Sequence, residues 1–132
     1  MASIKLQIKR AYEPSADSDG ARYLVDRLWP RGVRKEALKL TGWLKGVAPS
    51  TGLRVWFGHD PARWEQFRQR YRKELQSDPD SLQPLRSALV RGVVTLVYAA
   101  HDEQHNHAVV LREFLLDTPP GLRKKQAAST HP

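Results

Sequence analysis

An uncharged run of eight residues constrains the fold of this chain more than any other feature. The run, VVTLVYAA at residues 93–100, is rich in valine and contains no charged side chain. A strand covered by protein on both faces, as in a parallel sheet, has this composition. A polar loop, HDEQHN, follows it, and then an apolar segment typical of a helix at residues 107–116. This strand–loop–helix order is half of a βαβ unit, so residues 93–98 are predicted to be the centre of an α/β sheet.

Two further segments have the patterns of strands. Ile4, Leu6 and Ile8 alternate with polar residues, which is typical of an edge strand with one face in water. A second strand is expected over residues 23–29, where Pro30 stops it. The predicted fold class is therefore α/β, with a small, mostly parallel sheet flanked by helices. Its N-terminal strand is expected to lie at an edge or to run antiparallel.

Capping signals mark two helices in tandem. Asp60 followed by Pro61, and Asp78 followed by Pro79, are typical of helix starts. In each pair the aspartate accepts from exposed amides, and the proline lacks a donor where none is needed. The first helix carries an apolar stripe formed by Trp64, Phe67, Tyr71 and Leu75. Weaker patterns indicate a short helix, a short further element and a proline turn, at residues 33–40, 43–47 and 49–52.

Length and composition limit the classes to which the chain can belong. With 132 residues, it is expected to form one domain over residues 1–117, followed by a disordered basic tail at 118–132. The absence of cysteine excludes a disulfide framework, a thiolate metal site and a cysteine nucleophile. The sequence shows neither a signal-peptide pattern nor an apolar run of about 18 residues. We therefore expect a cytoplasmic location and no membrane contact.

The charge balance is basic, but it does not identify a partner. The net charge is +8, and residues 118–132 hold three cations and no acidic side chain. The remaining 19 basic and 14 acidic side chains leave +5 on residues 1–117. A positive field attracts nucleic acids and small anions alike, and it also keeps a protein soluble.

Polar residues gather where two of the predicted strands end. Asp26, Arg27 and Arg31 follow one strand, and Asp102, His105, Asn106 and His107 follow the other. In a parallel sheet both loops reach the same edge, where ligands bind near helix N-termini. The first amides of the last helix, together with an arginine, could hold a phosphate or a carboxylate there. The alternative is structural: the charged residues pair with neighbours, Asn106 only caps the helix, and the loop is solvated.

The histidines in the second loop also raise the hypothesis of a metal site. His101, His105 and His107, with Asp102 and Glu103, are ligand types that suit zinc, iron or manganese. Their spacing matches no established ligand motif, and residues two apart on a helix diverge in direction. We therefore expect no metal and no other cofactor.

The helix that starts at Pro61 supports a different function. Aromatic residues precede it, and it carries five basic residues, namely Arg63, Arg68, Arg70, Arg72 and Lys73. Such a combination binds single-stranded nucleic acid through phosphate contacts and base stacking, with Arg63, Arg70 and the tail as candidate contacts. The favoured alternative is a buried apolar stripe whose opposite face holds solvated arginines, partly offset by Glu65 and Glu74.

Four motifs in the same order resemble one known family. They are DRLWPRG, WLKGVAPSTGLRVWFGHDP, TLVYAA and NHAVVL, spread over residues 3–117. Together they are similar to the YeaO-like family of small bacterial proteins, which is classed as a domain of unknown function. The resemblance implies a compact α/β fold and no particular activity. The polar residues at family positions are Asp26, Arg27, Arg31, Ser50, Arg54, Asn106 and His107, whereas His101 and His105 lie outside the family pattern.

The patterns and the resemblance together favour an anion pocket as the leading hypothesis. The ligand would be a phosphorylated or carboxylated metabolite, and an enzyme acting on it is one form of this hypothesis. The ligand contacts are assigned to Arg27, Arg31, Ser50, Arg54 and Asn106. His107 is assigned as general acid or base, since a histidine pKa of about 6.5 suits proton transfer at neutral pH, and Asp26 as the residue that orients it.

Two alternatives stay open beside the anion pocket. The first is a basic nucleic-acid-binding module, and the second is an interaction protein without a pocket. The anion hypothesis makes a geometric prediction that separates it from both. Arg31 and His107 should share one concave site at the carboxyl edge of the sheet.

Overall fold

Four parallel strands form the sheet at the centre of the molecule. The structure is a computed structural model that describes residues 5–117. The strands are β1 (Leu6–Arg10), β2 (Ala21–Leu24), β3 (Gly42–Trp43) and β4 (Val94–Tyr98), in the spatial order β1-β4-β2-β3. β4 pairs in parallel with β1 on one side and with β2 on the other. The predicted central strand and its parallel neighbour are confirmed, and the N-terminal strand is a parallel edge strand.

Five α-helices surround the sheet within the described residues. They are α1 (Lys35–Leu38), α2 (Thr51–Phe57), α3 (Trp64–Ser77), α4 (Gln83–Arg91) and α5 (His107–Asp117). Short 3-10 turns at Pro61–Arg63 and Pro79–Leu82 lead into α3 and α4. The Asp60 side chain accepts from the Ala62 amide at 3.0 Å, as the capping signal predicted, whereas Asp78 makes no such bond. None of these helices is long and apolar enough to cross a bilayer.

The two faces of the sheet are covered unequally. On one face Val94, Leu96 and Tyr98 of β4 pack into a large core with residues of α3, α4 and α5, among them Phe67, Tyr71, Leu75, Leu85, Leu111 and Leu115. On the other face a small cluster joins Leu24, Val97, Ala11 and Leu38. All five residues of β4 are buried, because both faces are covered. The uncharged composition of this strand follows from that position.

Several boundaries differ from the sequence predictions. β2 ends at Leu24, so residues 26–29 form a loop and not the end of a strand. The predicted turn at residues 49–52 is the start of α2, whose seven residues are too few to show a clear period. α1 covers four residues of the predicted 33–40, and residues 43–47 divide between β3 and a 3-10 turn. The predicted tail at residues 118–132 lies outside the described residues, as does Ile4.

Candidate functional site

A cavity of about 610 Å³ opens at the carboxyl edge of the sheet. The loop after β2, the loop after β4, the start of α5, and α2 with its flanking residues all contribute to its walls. Its polar and charged lining residues are Tyr12, Asp26, Arg27, Arg31, Arg54, His59, His101, Asp102, Asn106 and His107. The remaining lining residues are apolar, namely Leu28, Trp29, Pro30, Ala48, Pro49, Phe57, Phe67, Ala99 and Ala100. This volume lies within the range of about 300–1,000 Å³ that is typical of small-molecule sites.

At the cavity, two hydrogen bonds of side chains replace a backbone hydrogen bond between β2 and β4. In a continuing parallel ladder the Ala99 amide would donate to the Val25 carbonyl, but here it donates to Oδ2 of Asp26 at 2.9 Å. The Val25 carbonyl accepts instead from Nε2 of His107 at 3.0 Å. The side chains of Asp26 and His107 thus replace one backbone hydrogen bond between the strands. This replacement is the physical reason that β2 ends at Leu24.

His107 and Asp26 are also close to each other. Nε2 of His107 lies 3.1 Å from Oδ1 of Asp26, and each side chain is only 15% exposed. A carbonyl oxygen can only accept, so the bond to Val25 assigns the proton to Nε2 in the neutral ring. Oδ1 of Asp26 is buried and receives no well-directed hydrogen bond from the described residues, so its interaction with the imidazole is electrostatic. Nδ1 of His107 has no hydrogen-bond partner within residues 5–117.

The three arginines of the cavity differ in their engagement. Arg27 donates from one terminal nitrogen to the carbonyls of Ala48 and Pro49, at 3.4 and 3.2 Å, so it clips the β2 loop to the segment before α2. Arg31 and Arg54 are exposed, and neither guanidinium has a hydrogen bond or ion pair within the described part of the chain. These two groups are therefore available to an external anion.

Asn106 and Asp102 stabilise the loop before α5. Oδ1 of Asn106 accepts from the Val109 amide at 3.1 Å, which makes Asn106 the N-cap of α5 as predicted. Asp102 accepts from the Gln104 amide, and from both the ring Nδ1 and the amide of His105, each at 2.9 Å. These hydrogen bonds lower the pKa of Asp102 from its ordinary value, and the bond from the Gln104 amide has the largest effect. The Asp102 carboxylate is therefore engaged in holding its own turn.

Ser50 does not line the cavity with the other assigned residues. Its hydroxyl donates to Oε2 of Glu74 at 2.6 Å and accepts from the Leu53 amide at 3.2 Å. Its amide donates to the second carboxylate oxygen of Glu74 at 2.8 Å. These contacts make it the N-cap of α2 and a tie to α3, and the geometry lends no support to a ligand contact.

The histidines of the second loop have separate neighbours. His105 pairs with Asp102 and meets the Trp64 ring edge-on at 5.2 Å, while His107 pairs with Asp26. Within residues 5–117 no three histidine, aspartate or glutamate side chains converge as metal ligands do. The expectation of a metal-free protein stays a prediction.

Sequence reasoning did not find the apolar half of the lining. Leu28 and Trp29 directly follow Arg27 in the sequence. This apolar pair inside a polar loop is the sequence feature that could have indicated an apolar lining. Tyr12 follows β1, and its place at the cavity required knowledge that β1 lies next to β4. His59 lines the cavity in a left-handed backbone conformation, with φ of 57°. Nothing in its sequence surroundings indicates that position.

The parallel sheet and the cavity define the class as a small α/β protein with an arginine-lined cavity at the carboxyl edge of its strands. The chain belongs to the inactive DUF488-N3 subclade, whose family model matches residues 5–131. It is 40% identical to the uncharacterized protein YeaO of Escherichia coli strain K12 over 112 residues, which are 85% of this chain and 97% of that protein. The resemblance to YeaO-like proteins is confirmed.

Relatives occur in mycobacteria as well. The chain is 42% identical over 111 residues to the uncharacterized proteins Rv3073c of Mycobacterium tuberculosis and Mb3100c of Mycobacterium bovis, covering 84% of this chain and 93% of each relative. No solved structure gave a significant match. The names of these relatives state no ligand or reaction.

Proposed function

We propose that this protein binds a small anion, a phosphate or a carboxylate, in the cavity at the carboxyl edge of its sheet. The observation that carries the proposal is the pair of guanidinium groups of Arg31 and Arg54, which line one cavity without a partner in the described residues. A guanidinium presents a planar fork of donors that matches the two oxygens of a carboxylate or phosphate. Neither guanidinium pairs with a carboxylate of the described residues. Both therefore suit a ligand that supplies the negative charge.

The surroundings of these arginines add to the attraction for an anion. The two carboxylates of the cavity accept hydrogen bonds from amides, Asp26 from Ala99 and Asp102 from Gln104, and neither forms an ion pair with Arg31 or Arg54 within the described residues. The first turn of α5 starts at the cavity, and its amides carry the positive end of the helix dipole. Arg27 contributes a further positive charge although its donors are partly used.

A catalytic form of this proposal assigns the chemistry to His107. Its Nδ1 is the ring nitrogen that has no partner in the described part of the chain, and Asp26 and the Val25 carbonyl hold the ring through Nε2. General acid–base catalysis needs such an oriented imidazole within reach of the ligand. The description of the family as inactive favours binding without turnover. We expect no hydrolysis of p-nitrophenyl phosphate above the buffer rate, and hydrolysis that disappears in His107→Gln would establish the catalytic form.

The binding proposal is tested by the thermal stability of the protein with a panel of anions, for example inorganic phosphate, phenyl phosphate, succinate and benzoate. A ligand that binds only the native state at about 100 times its Kd stabilises it by about 2.7 kcal/mol. For a domain of this size that is a rise in Tm of roughly 10 °C. If the positive charge serves only solubility and forms no site, no anion should raise Tm more than another anion does.

Charge-neutralising variants locate the binding. Arg31→Gln and Arg54→Gln should each weaken the affinity about 10- to 100-fold, the worth of a charge-assisted hydrogen bond. Arg91→Gln, an exposed arginine at the end of α4 and outside the cavity, is the matched control and should bind as the parent does. The proposal fails if no anion raises Tm, or if the variant that combines Arg31→Gln with Arg54→Gln keeps the rise. An interaction protein without a pocket then becomes the better hypothesis.

A cytoplasmic location stays a prediction from the composition of the sequence.

A further inference from the structure

We infer that the ligand of this cavity is an organic anion with a flat apolar body, such as an aromatic ring, and that the protein prefers it to inorganic phosphate and to small polar anions. The inference rests on the proposed anion site and names the class of ligand. It comes from the size of the cavity, the exposed apolar side chains that line it and the small number of free guanidinium groups in it.

The cavity is large for the number of charges it can hold. Its volume of about 610 Å³ is in the middle of the range that fits drug-sized ligands. Within residues 5–117, Arg31 and Arg54 carry its two guanidinium groups without a hydrogen bond, and the other unpartnered polar atoms are single ones such as Nε of Arg27 and Nδ1 of His107. A ligand with several charges would exceed these two guanidinium groups, and a charge that is buried without a partner is costly. A single anionic end on an apolar body matches the polar groups that remain.

Exposed apolar side chains lie at this cavity. Leu28 is 64% exposed and Tyr12 is 47% exposed, and both line it. They are two of the four large hydrophobic side chains that are exposed in the described part of the chain. Exposed apolar surface that is gathered at a concave site is typical of ligand-binding surfaces. The water that covers these side chains would be displaced by the apolar body of the ligand.

The aromatic side chains at the cavity are held in place. Trp29 is half-buried, donates from its ring nitrogen to the Val33 carbonyl at 2.7 Å, and meets Trp43 edge-on at 5.4 Å. Tyr12 donates to the Arg31 carbonyl at 3.0 Å, and the Arg10 guanidinium lies 5.0 Å from its ring centre. Rings that are already ordered lose little conformational freedom when a ligand packs on them. The Tyr12 bond also ties one apolar contact to the loop that carries an anion-binding arginine.

The test compares four probes by titration calorimetry on the full chain: inorganic phosphate, phenyl phosphate, benzoate and benzyl alcohol. We expect phenyl phosphate, benzoate or both to bind at least ten-fold more tightly than inorganic phosphate, a difference of about 1.4 kcal/mol. Benzyl alcohol, which keeps the ring and lacks the charge, should bind at least ten-fold more weakly than the better aromatic anion. The two aromatic anions distinguish a phosphate from a carboxylate as the charged end.

A surface substitution tests the apolar contact without disturbing the core. Leu28→Asn should lower the affinity for the aromatic anions several-fold and leave that for inorganic phosphate unchanged. Val55→Asn is the matched control, because Val55 is 71% exposed and lies outside the cavity, and it should change neither affinity. Equal affinity for inorganic phosphate and the aromatic anions would overturn this inference and leave the anion site standing. Binding of no anion at all would overturn both.

Discussion

At the scale of single residues, Asp26 links the strand, the cavity and the small core. Its carboxylate takes the Ala99 amide and faces His107, and its backbone carbonyl accepts from the ring nitrogen of Trp43 at 2.7 Å. One side chain therefore ends β2 and positions the imidazole at the cavity. In the catalytic form of the proposal Asp26 is a positioning residue, because its carboxylate faces the imidazole of His107.

A second aspartate organises the opposite end of the sheet. Asp19 is 3% exposed and accepts from the Ala16 amide, from Lys9 and from Arg22, whose terminal nitrogen lies 2.6 Å away. Burial alone would raise the pKa of Asp19, but the hydrogen bonds from Ala16, Lys9 and Arg22 outweigh it and lower that pKa from its ordinary value. Arg22 is also buried and donates to the Leu38 carbonyl at 2.8 Å. The pair therefore carries two charges away from water.

Asp19→Asn should destabilise the protein by about 3–5 kcal/mol at neutral pH, because it leaves the charge of Arg22 buried without its partner. A carboxyl with a lowered native pKa stabilises above its ordinary pKa, and this stabilisation is lost as the pH falls through the lowered value. The difference between parent and variant in urea unfolding should thus shrink between about pH 5 and about pH 2.

Two comparisons separate the ion pair from a general effect of charge. Asp17→Asn removes an exposed carboxylate two positions away and should change stability by less than about 0.5 kcal/mol. Asp19→Asn combined with Arg22→Met should be less destabilising than Asp19→Asn alone, because the buried guanidinium is removed and the remaining cation, Lys9, is partly exposed to water. Equal stability of Asp19→Asn and Asp17→Asn would show that the pair contributes nothing.

Gly20 is required by a close approach of two backbones. Its φ is 65° and ψ is −137°, and a Cβ built on it would lie 2.2 Å from the Val93 carbonyl oxygen. That oxygen accepts from the Ala21 amide at 2.9 Å, so neither backbone can move without losing a bond at the start of β2. A residue with a side chain is strained in this conformation and has no room in this position.

Gly20→Ala is therefore expected to cost about 3 kcal/mol or more in the free energy of unfolding. Gly52→Ala provides the control, since Gly52 lies within α2 and a Cβ there would meet nothing within 4 Å. It should be neutral or stabilise by up to about 1 kcal/mol, because alanine favours helix. Chemical denaturation of both variants decides, and similar stabilities would refute the role of the close approach.

At the scale of elements, several basic residues of α3 are already engaged by neighbouring side chains, which bears on the nucleic-acid hypothesis. Arg68 bonds to Glu113 of α5 at 2.9 Å, which raises its pKa further, and Arg72 bonds to Asp117 at 3.1 Å. Arg63 and Arg70 stack on Trp56, with 5.2 and 4.3 Å between each guanidinium carbon and the ring centre. A nucleic acid would therefore meet Arg63 and Arg70 with their aromatic neighbour already covered by these guanidinium groups.

For the nucleic-acid alternative, we expect only weak, salt-sensitive binding of single-stranded oligonucleotides that does not distinguish sequences. Replacing Arg123, Lys124 and Lys125 by glutamine should make the plot of log affinity against log salt less steep by about 2, as three phosphate contacts are lost at about 0.7 each. Fluorescence anisotropy at several salt concentrations measures this slope. Salt-resistant binding that survives these changes and disappears in Arg63→Ala with Arg70→Ala would instead promote the nucleic-acid module.

The helix α2 contributes to the cavity in a way that its sequence conceals. Ser50 caps it and ties it to Glu74 of α3, so the helix is held against its neighbour at its first residue. Phe57 near its end packs on Phe67 with 4.3 Å between ring centres, and both rings line the cavity. Arg54 lies between these anchors. A seven-residue element thus delivers an arginine to the site because tertiary contacts stabilise it.

At the scale of the whole molecule, the cavity depends on the strand order β1-β4-β2-β3. Because all strands run in parallel, the loops that follow β1, β2 and β4 leave the sheet at one edge. Arg31 and His107, far apart along the chain, line the same cavity for this reason. The position of the cavity is therefore a property of the topology.

The sequence by itself determined the central strand, the two tandem helices with the cap at Asp60, and the polar loops, because burial, caps and periodicity are local patterns that a chain carries wherever it folds. The composition of residues 93–100 together with the helix that follows them indicated the α/β class, and the capping role of Asn106 could be read from its position before an apolar helix. The family motifs added Arg54 to the candidates, although its own surroundings did not distinguish it.

Only the tertiary structure decided which of those polar residues are free. Ser50 and Asn106 are assigned as ligand contacts from the sequence, but neighbours in the fold use their donors and acceptors, and Arg27 is partly used in the same way. Arg31 and Arg54 look no different in sequence, and they keep their guanidinium groups unpaired within the described residues. A hydrogen bond between residues distant in the chain depends on where the backbone places both partners, and local propensity contains no such information.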